Sequence, residues 1–237
     1  MTGPSAFGDT TVIVPTLNEE ANIARLLDEL VSLYPGLRII VADDGSKDRT
    51  GDIVRDYQQQ HPEVSLLDRG AAAVHGLTIS VFDAVLDVQT PFFIVMDGDL
   101  QHPPEKVGDL RQRLIDGADV VVGRRDRVLV PWPVHRKLIS RLGVMVGRVR
   151  LRVGGAVTRD TMSGFFGART ELFRTYAGGN LDKFEARGYK VLFDFLKLLP
   201  KETRVEEVPY DFGLRAGGTS KISSTHLWLY ARSLFRW

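Results

Sequence analysis

Phe92-Phe93-Ile94-Val95-Met96-Asp97-Gly98-Asp99-Leu100-Gln101-His102-Pro103-Pro104-Glu105 is the stretch on which the reading of this 237-residue chain turns. Its five apolar residues form a short run bounded by turn signals, which predicts a buried strand. In open α/β sheets ligands collect outside the carboxyl ends of the strands, and this strand ends in two carboxylates one residue apart. Gly98 permits a tight bend, so Asp97 and Asp99 can both reach the end of the sheet. Hard oxygens of this kind suit Mg2+ or Mn2+, and Gln101 can add a neutral oxygen. Taken alone, the Asp-x-Asp pattern is equally an aspartate-rich turn that holds no metal.

Outward from this loop, strands and helices alternate. Residues 11–15 predict a β-branched strand ended by Pro15, and Ile23, Leu26, Leu27, Leu30 and Val31 recur at helical spacing, with Asn18 as the expected cap. Residues 38–42 predict a second strand, and Asp43-Asp44-Gly45-Ser46 reads as the turn after it on the same rim. A carboxylate there can accept hydrogen bonds from a base or a ribose, or simply close a turn. Helices at 49–60, 76–88 and after Pro103-Pro104 alternate with strands at 64–67 and 119–122. After Gly123 come a basic helix, a joint at Gly154-Gly155, a segment at 162–168 and shorter helices up to Leu199. A strand at 204–210 and a loop at Gly217-Gly218 follow. This order predicts an α/β sandwich on a mostly parallel central sheet, one domain spanning 1–237 with a change of character near 122.

Composition is ordinary for a globular chain, with 43% hydrophobic and 26% charged residues. The absence of cysteine excludes disulfides, thiolate metal sites and cysteine nucleophiles. No apolar run reaches membrane-spanning length, and residues 1–10 lack the order of a signal peptide. The net charge of +1 hides an asymmetry: from Arg127 to Arg159 there are eight basic residues and no acidic one. In that stretch Val134, Leu138, Leu142, Met145, Val146 and Val149 recur at helical spacing. A basic amphipathic helix can lie on an anionic membrane or grip an anionic group, or can simply turn its apolar side inward and its charges to water. The chain has neither G-x-x-x-x-G-K-[ST] nor a G-x-G-x-x-G after its first strand, and no H-x-x-x-H pair. Nucleic-acid binding fits poorly, because aromatic residues do not interleave the basic stretch.

Six segments in order give the chain a resemblance to glycosyltransferase family 2, and within it to the dolichol-phosphate mannose synthase group. They are 14–20 (VPTLNEE), 41–46 (VADDGS), 96–105, 122–125 (VGRR), 162–166 (MSGFF) and 212–221 (FGLRAGGTSK). The resemblance implies a glycosyltransferase-A fold and inverting transfer of a sugar, mannose from GDP-mannose first, from a nucleotide-sugar donor to a polyprenyl phosphate. It implies a nucleotide-sugar-binding half at 1–122, an acceptor half at 123–222 and a C-terminal amphipathic or juxtamembrane segment at 223–237. By position, Pro15, Leu17, Glu19, Val41 and Asp43 would hold the nucleoside, and Asp97, Gly98, Asp99 and Gln101 the diphosphate and its Mg2+ or Mn2+. Arg125, Arg215 and Lys221 would contact the donor phosphates or the reacting phosphate, and with Asp99 would carry the catalysis. Arg125, Arg136 and Ser140 would receive the acceptor phosphate, the last two spaced i, i+4 on one helix side.

The pattern also departs from the group. Leu17 stands where tyrosine is frequent, and His75, within 69–77, where lysine or arginine is usual. The resemblance further implies a peripheral position on the cytoplasmic face of a membrane, with a membrane-spanning partner or a continuation of the chain past Trp237 both open. Residues 228–237, rich in tryptophan, tyrosine and arginine, read as an interfacial anchor or as a helix packed on the domain. Rival readings are a polyprenyl-phosphate hexosyltransferase using a UDP-sugar, a processive synthase, and a non-catalytic membrane-binding module. The processive enzymes carry Gln-x-x-Arg-Trp, whereas this chain has Ser233 in the glutamine position before Arg236-Trp237.

Overall fold

Side-chain alternation along the strands sorts the molecule into two apolar layers. In β4 (Phe92–Val95) all four residues are buried. Phe93 and Val95 face one cluster, Phe92 and Ile94 the other. The structure, a computed structural model, describes residues 6–130, 134–214, 229 and 232–234, with 134–141 described by their backbone alone.

The remaining strands are β1 (Thr10–Thr16), β2 (Arg38–Asp43), β3 (Val64–Asp68), β5 (Val120–Val128), β6 (Phe166–Arg169) and β7 (Val205–Phe212). Among the described residues they form one seven-stranded sheet in the order β3-β2-β1-β4-β6-β5-β7. Only β6 runs antiparallel to its neighbours, so the expected mostly parallel sheet is the observed one. On one face lie α1 (Ile23–Leu33), α2 (Thr50–Gln60) and α4 (Lys106–Ile115), which insert residues such as Leu26, Leu30, Val54 and Leu110. On the other lie α3 (Leu77–Asp87), α6 (Thr170–Ala177) and α7 (Val191–Leu198), where Phe82 meets Phe173 edge-on at 5.5 Å. Each fully buried aliphatic or aromatic side chain contributes roughly 1.5–3 kcal/mol to holding these layers together. The strand order changes direction between β1 and β4, the switch point at which open sheets form a ligand crevice.

The differences from expectation have local causes. Asn18 does not cap α1, whose cap is Asn22; Asn18 instead has φ +52° and accepts the Lys47 N–H at 2.7 Å. Pro15 does not end β1, because pairing with β4 stops at Ile13 and a residue lacking an N–H is tolerated beyond that point. β5 continues past 122 to Val128, since β7 supplies it with a partner as far as Phe212.

The basic stretch forms α5 (Val134–Val153), and the exposure of its apolar residues overturns the reading of an apolar inner and solvated outer side. Leu142, Met145, Val146, Val149 and Val153 are 48%, 56%, 42%, 56% and 72% exposed. Its inward side is a separate set, with Val144 against the core and Leu151 fully buried. The joint after it requires glycine: Gly155 has φ +147°, and a Cβ there would lie 2.6 Å from the Leu196 carbonyl.

Of the C-terminal segment, Leu229 and Ser233 are buried. Lys197 Nζ donates to the Ser233 carbonyl at 2.8 Å and pairs with Asp194 at 2.8 Å, while the Ser233 hydroxyl donates to Asp194. These described residues pack on the domain, and Ser233 serves an internal contact in the position where a processive synthase would carry glutamine. No helix among the described residues is long and apolar enough to cross a membrane.

Candidate active site

Parallel register aligns the strand ends. Thr16 sits opposite Asp43 and Asp43 opposite Asp68, so the loops leaving β1, β2 and β3 open on one edge. Thr16 Oγ1 donates to Asp43 at 2.9 Å, and the Ser46 N–H and hydroxyl donate to the same carboxylate. Asp43 is thereby oriented but remains an acceptor. Glu19, buried, takes the Asn22 amide at 2.9 Å, and its own N–H donates to Thr50 Oγ1 at 2.8 Å. Leu17 is exposed on this rim, whereas the Val41 and Pro15 side chains are buried, so these two can meet a ligand only through the main chain.

The acidic loop abuts this group. A Cβ on Gly98 would lie 3.4 Å from Thr16 Cγ2 and 3.6 Å from Glu19 Cγ, so Asp43, Glu19 and the 97–99 segment share one crevice. Asp99 is buried and accepts the Gln101 N–H at 3.0 Å, a turn that puts Leu100 at φ +61°. Such a backbone costs a branched residue roughly 1–2 kcal/mol, and residues held this way concentrate at functional sites. The Gln101 amide donates to the Gly213 carbonyl at 3.0 Å, and the Gly213 N–H returns to the Gln101 carbonyl at 3.1 Å. The end of β7 is therefore bound to the acidic loop.

His102 anchors that loop from beneath. Its Nδ1 accepts the Asp97 N–H at 2.9 Å, which places the ring proton on Nε2, 3.7 Å from Asp97 Oδ2. The ring stacks on Phe165 at 5.1 Å, and burial pushes its pKa down to about 4, so it is neutral at pH 7.

Across from Asp97, Arg125 is clamped by Asp160. Nε and Nη2 each lie 2.7 Å from the carboxylate, a bidentate pair that leaves Nη1 over. Burial opposes both charges, yet the contact raises the Arg125 pKa and lowers that of Asp160. Lys190, the residue before α7, donates to the Met162 carbonyl at 2.6 Å. Its burial, with Arg125 nearby, lowers its pKa to about 7 against the pull of Asp160 and Asp97. One short loop thus carries Asp160, which fixes Arg125, and Gly164, where a Cβ would stand 3.4 Å from both Asp97 oxygens.

That space at Gly164 bears on whether a divalent ion fits. The Asp97 side chain is 33% exposed and open on the side a Cβ would fill, and the buried Asp99 is next to it. Among the described residues no three His, Asp or Glu gather into a metal cage. Two carboxylates with a free flank are the donor set of an ion that completes its shell with water and substrate phosphates. The residues fit.

Arg215 and Lys221 lie outside the described residues, and Arg136 and Ser140 are described only as backbone of α5. Sequence reasoning passed over His102, Asp160 and Lys190 as site residues. Asp160 had a signal: it is the first carboxylate after Asp126, and it follows the basic stretch directly. Lys190 had none, because only the fold brings α7 beneath this loop. His75, 47% exposed, lies 3.2 Å from Asp44. Asp44 is also held by the Gly76 N–H at 2.7 Å and by the buried Arg69.

A mixed sheet with this switch point and an acidic loop at its edge is the glycosyltransferase-A fold. It is shared with glucosyl-3-phosphoglycerate synthase of Mycobacterium tuberculosis in complex with Mn2+, UDP and glucosyl-3-phosphoglycerate (TM-score 0.62, 23% identity, 94% of this chain and 76% of that one). The chain belongs to glycosyl transferase family 2, whose profile matches residues 11–177. Among curated relatives it is 35% identical to the dolichol-phosphate mannosyltransferase of Pyrococcus furiosus, over 95% of this chain and 62% of that protein. It is 32% identical to the enzyme of the same name from Saccharomyces cerevisiae, over 94% and 85%. It is 29% identical to the polyprenol monophosphomannose synthase of Mycolicibacterium smegmatis, over 92% and 82%. The chain therefore spans less than two thirds of the Pyrococcus relative's length.

Proposed function

We propose that this protein transfers mannose, with inversion, from GDP-mannose to a polyprenyl phosphate at the cytoplasmic surface of a membrane. The observation that supports this most is the single loop 160–164, which sets a clamped arginine opposite an open carboxylate pair. Two anions must meet in such a reaction, and the site offers acidic side chains to one and a cation to the other.

The acceptor phosphate is already ionised near neutral pH, so no side chain need remove a proton from it. Asp97 and Asp99 hold the diphosphate end of the donor through Mg2+ or Mn2+. When bound, the ion neutralises charge that grows on the leaving nucleoside diphosphate. Asp43 and Glu19 orient the nucleoside, and Gln101 holds the end of β7 against the acidic loop. Arg125, with Nη1 left over, faces the reacting phosphate. Arg136 and Ser140 take the lipid phosphate, and Arg215 and Lys221 the phosphates of the donor. The outward apolar face of α5 rests on lipid.

A donor panel of GDP-mannose, UDP-glucose and UDP-N-acetylglucosamine, with polyprenyl phosphate and manganese, tests the assignment. GDP-mannose should give the product, and the absence of transfer from every donor would overturn the reading. Leu17 offers no ring to stack on guanine, the observation that favours a UDP-sugar as the second reading. Arg136→Ala should raise the KM for lipid phosphate more than that for the nucleotide sugar.

A further inference from the structure

Between α5 and the outer strands β5 and β7 lies a cavity of about 560 Å³, separate from the donor crevice. Arg124, Arg148, Val157, Thr158, Arg159, Val205, Glu206 and Glu207 line it. The acids among them are already engaged. Glu207 accepts from Thr158 Oγ1 at 2.8 Å and from the Arg159 N–H at 2.6 Å, and it lies 3.4 Å from Arg124. Glu206 is bound by Arg204 at 3.0 Å. Arg124 also reaches Asp126, and Arg159, 73% exposed, stands 3.8 Å from Glu207. Arg148 differs from both. It makes no ion pair among the described residues, and its Nε is shut off from water with no hydrogen-bond partner.

A shielded guanidinium N–H without an acceptor is costly, and an anion entering the cavity would relieve it. The position of Arg148 indicates which anion. At 100° per residue the exposed residues Leu142, Met145, Val146, Val149 and Val153 form one stripe, and Arg148 and Arg152 lie along one flank of it. An apolar stripe with cations on its flank matches a membrane surface, where acyl chains meet the first and phosphates the second. We propose that this cavity binds the phosphodiester headgroup of an anionic phospholipid, with Arg148 as the principal contact and Arg159 closing over it. The site rests on α5 facing the membrane and is independent of the sugar or the donor.

The test is co-sedimentation of the full chain, without donor or acceptor, with vesicles of phosphatidylcholine alone or doped with phosphatidylglycerol. Wild-type protein should bind the doped vesicles about tenfold more tightly, for two to three favourable cation–phosphate contacts. Arg148→Gln with Arg159→Gln should abolish that preference while keeping binding to phosphatidylcholine. A charge-matched control, Arg25→Gln with Arg113→Gln, should keep the preference. Equal loss in both pairs would reduce the effect to diffuse charge and overturn the site, as would an unchanged preference in the first pair. Glycerol phosphate added to wild-type protein, which needs no variant to fold, should compete only with the doped vesicles. Inorganic phosphate binding as tightly as those vesicles would make a soluble anion the occupant and overturn the lipid assignment. Met145→Asp with Val149→Asp should weaken binding to both vesicles; if it does not, the reading of α5 fails, whatever the donor panel shows.

Discussion

The donor rim and the α5 side of the molecule are built on opposite terms. On the rim, Asp43 is held by Thr16 and Ser46, Asp99 by the Gln101 N–H, and Asp44 by Arg69 and Gly76. These carboxylates are positioned before any ligand arrives, which is how electrostatic catalysis avoids reorganisation at the moment of reaction. On α5 five large apolar side chains face outward, and Arg148 keeps a shielded N–H without a partner. One region is complete within the fold, whereas the other has its complement elsewhere. A water-soluble sugar nucleotide can be met by a finished pocket, while a lipid requires a surface.

The pair Arg125–Asp160 joins the two regions, and breaking it should have the largest effect. Asp160→Asn leaves a buried guanidinium short of its counter-ion and should cost about 3–5 kcal/mol of stability, read by chemical denaturation. Arg125→Met with Asp160→Leu should recover much of that stability without recovering transfer, which separates structure from chemistry. Next comes the rim itself. Asp99→Ala should lower turnover by roughly 10²–10³-fold with folding intact by circular dichroism, and unchanged turnover would refute the metal assignment.

His102 gives the rim a pH signature. Its folded pKa of about 4 lies below the ordinary histidine value of 6.5, so between these values the unfolded chain binds more protons than the folded one. Stability should therefore fall as pH drops from about 6.5 to about 4, by up to about 3 kcal/mol, and His102→Asn should remove that slope in thermal melts taken without metal. The smallest effect belongs to the α5 side. Met145→Asp with Val149→Asp should leave folding and nucleotide-sugar binding unchanged and reduce transfer to long-chain lipid about tenfold, for two apolar side chains withdrawn from lipid. A short-chain, water-soluble acceptor should be used as well as by wild type. Equal loss on both acceptors would assign the stripe to the fold instead.

Most of the sheet was legible because its strands are short apolar runs ending in turn residues: Phe92–Val95 and Arg38–Asp43 fall where the pattern places them. The rim was legible because Asp43, Asp97 and Asp99 follow strand ends directly, and parallel register then gathers them. The extension of β5 to Val128 was not, since only the pairing with β7 sustains a strand through Arg124, Arg125 and Arg127. Nor was the direction of α5. Helical spacing shows that apolar residues share a side, but not whether that side is packed; Leu151 and the stripe from Leu142 to Val153 are alike in composition and opposite in environment. Lys190 and Asp160 meet Arg125 through tertiary contact alone, for which a local pattern holds no trace.

The ion pair of Asp194 and Lys197 beneath Ser233 has a practical corollary for anyone shortening this chain. Cutting before Leu229 would not merely trim a tail. It would open two charges, now closed in by the hydroxyl and carbonyl of Ser233, and strip a lid from α7. Uncompensated burial of that kind costs several kcal/mol per ion, against a total stability on the order of 5–15 kcal/mol. Proteolytic nicking near residue 228 should therefore release an unstable body rather than a trimmed enzyme.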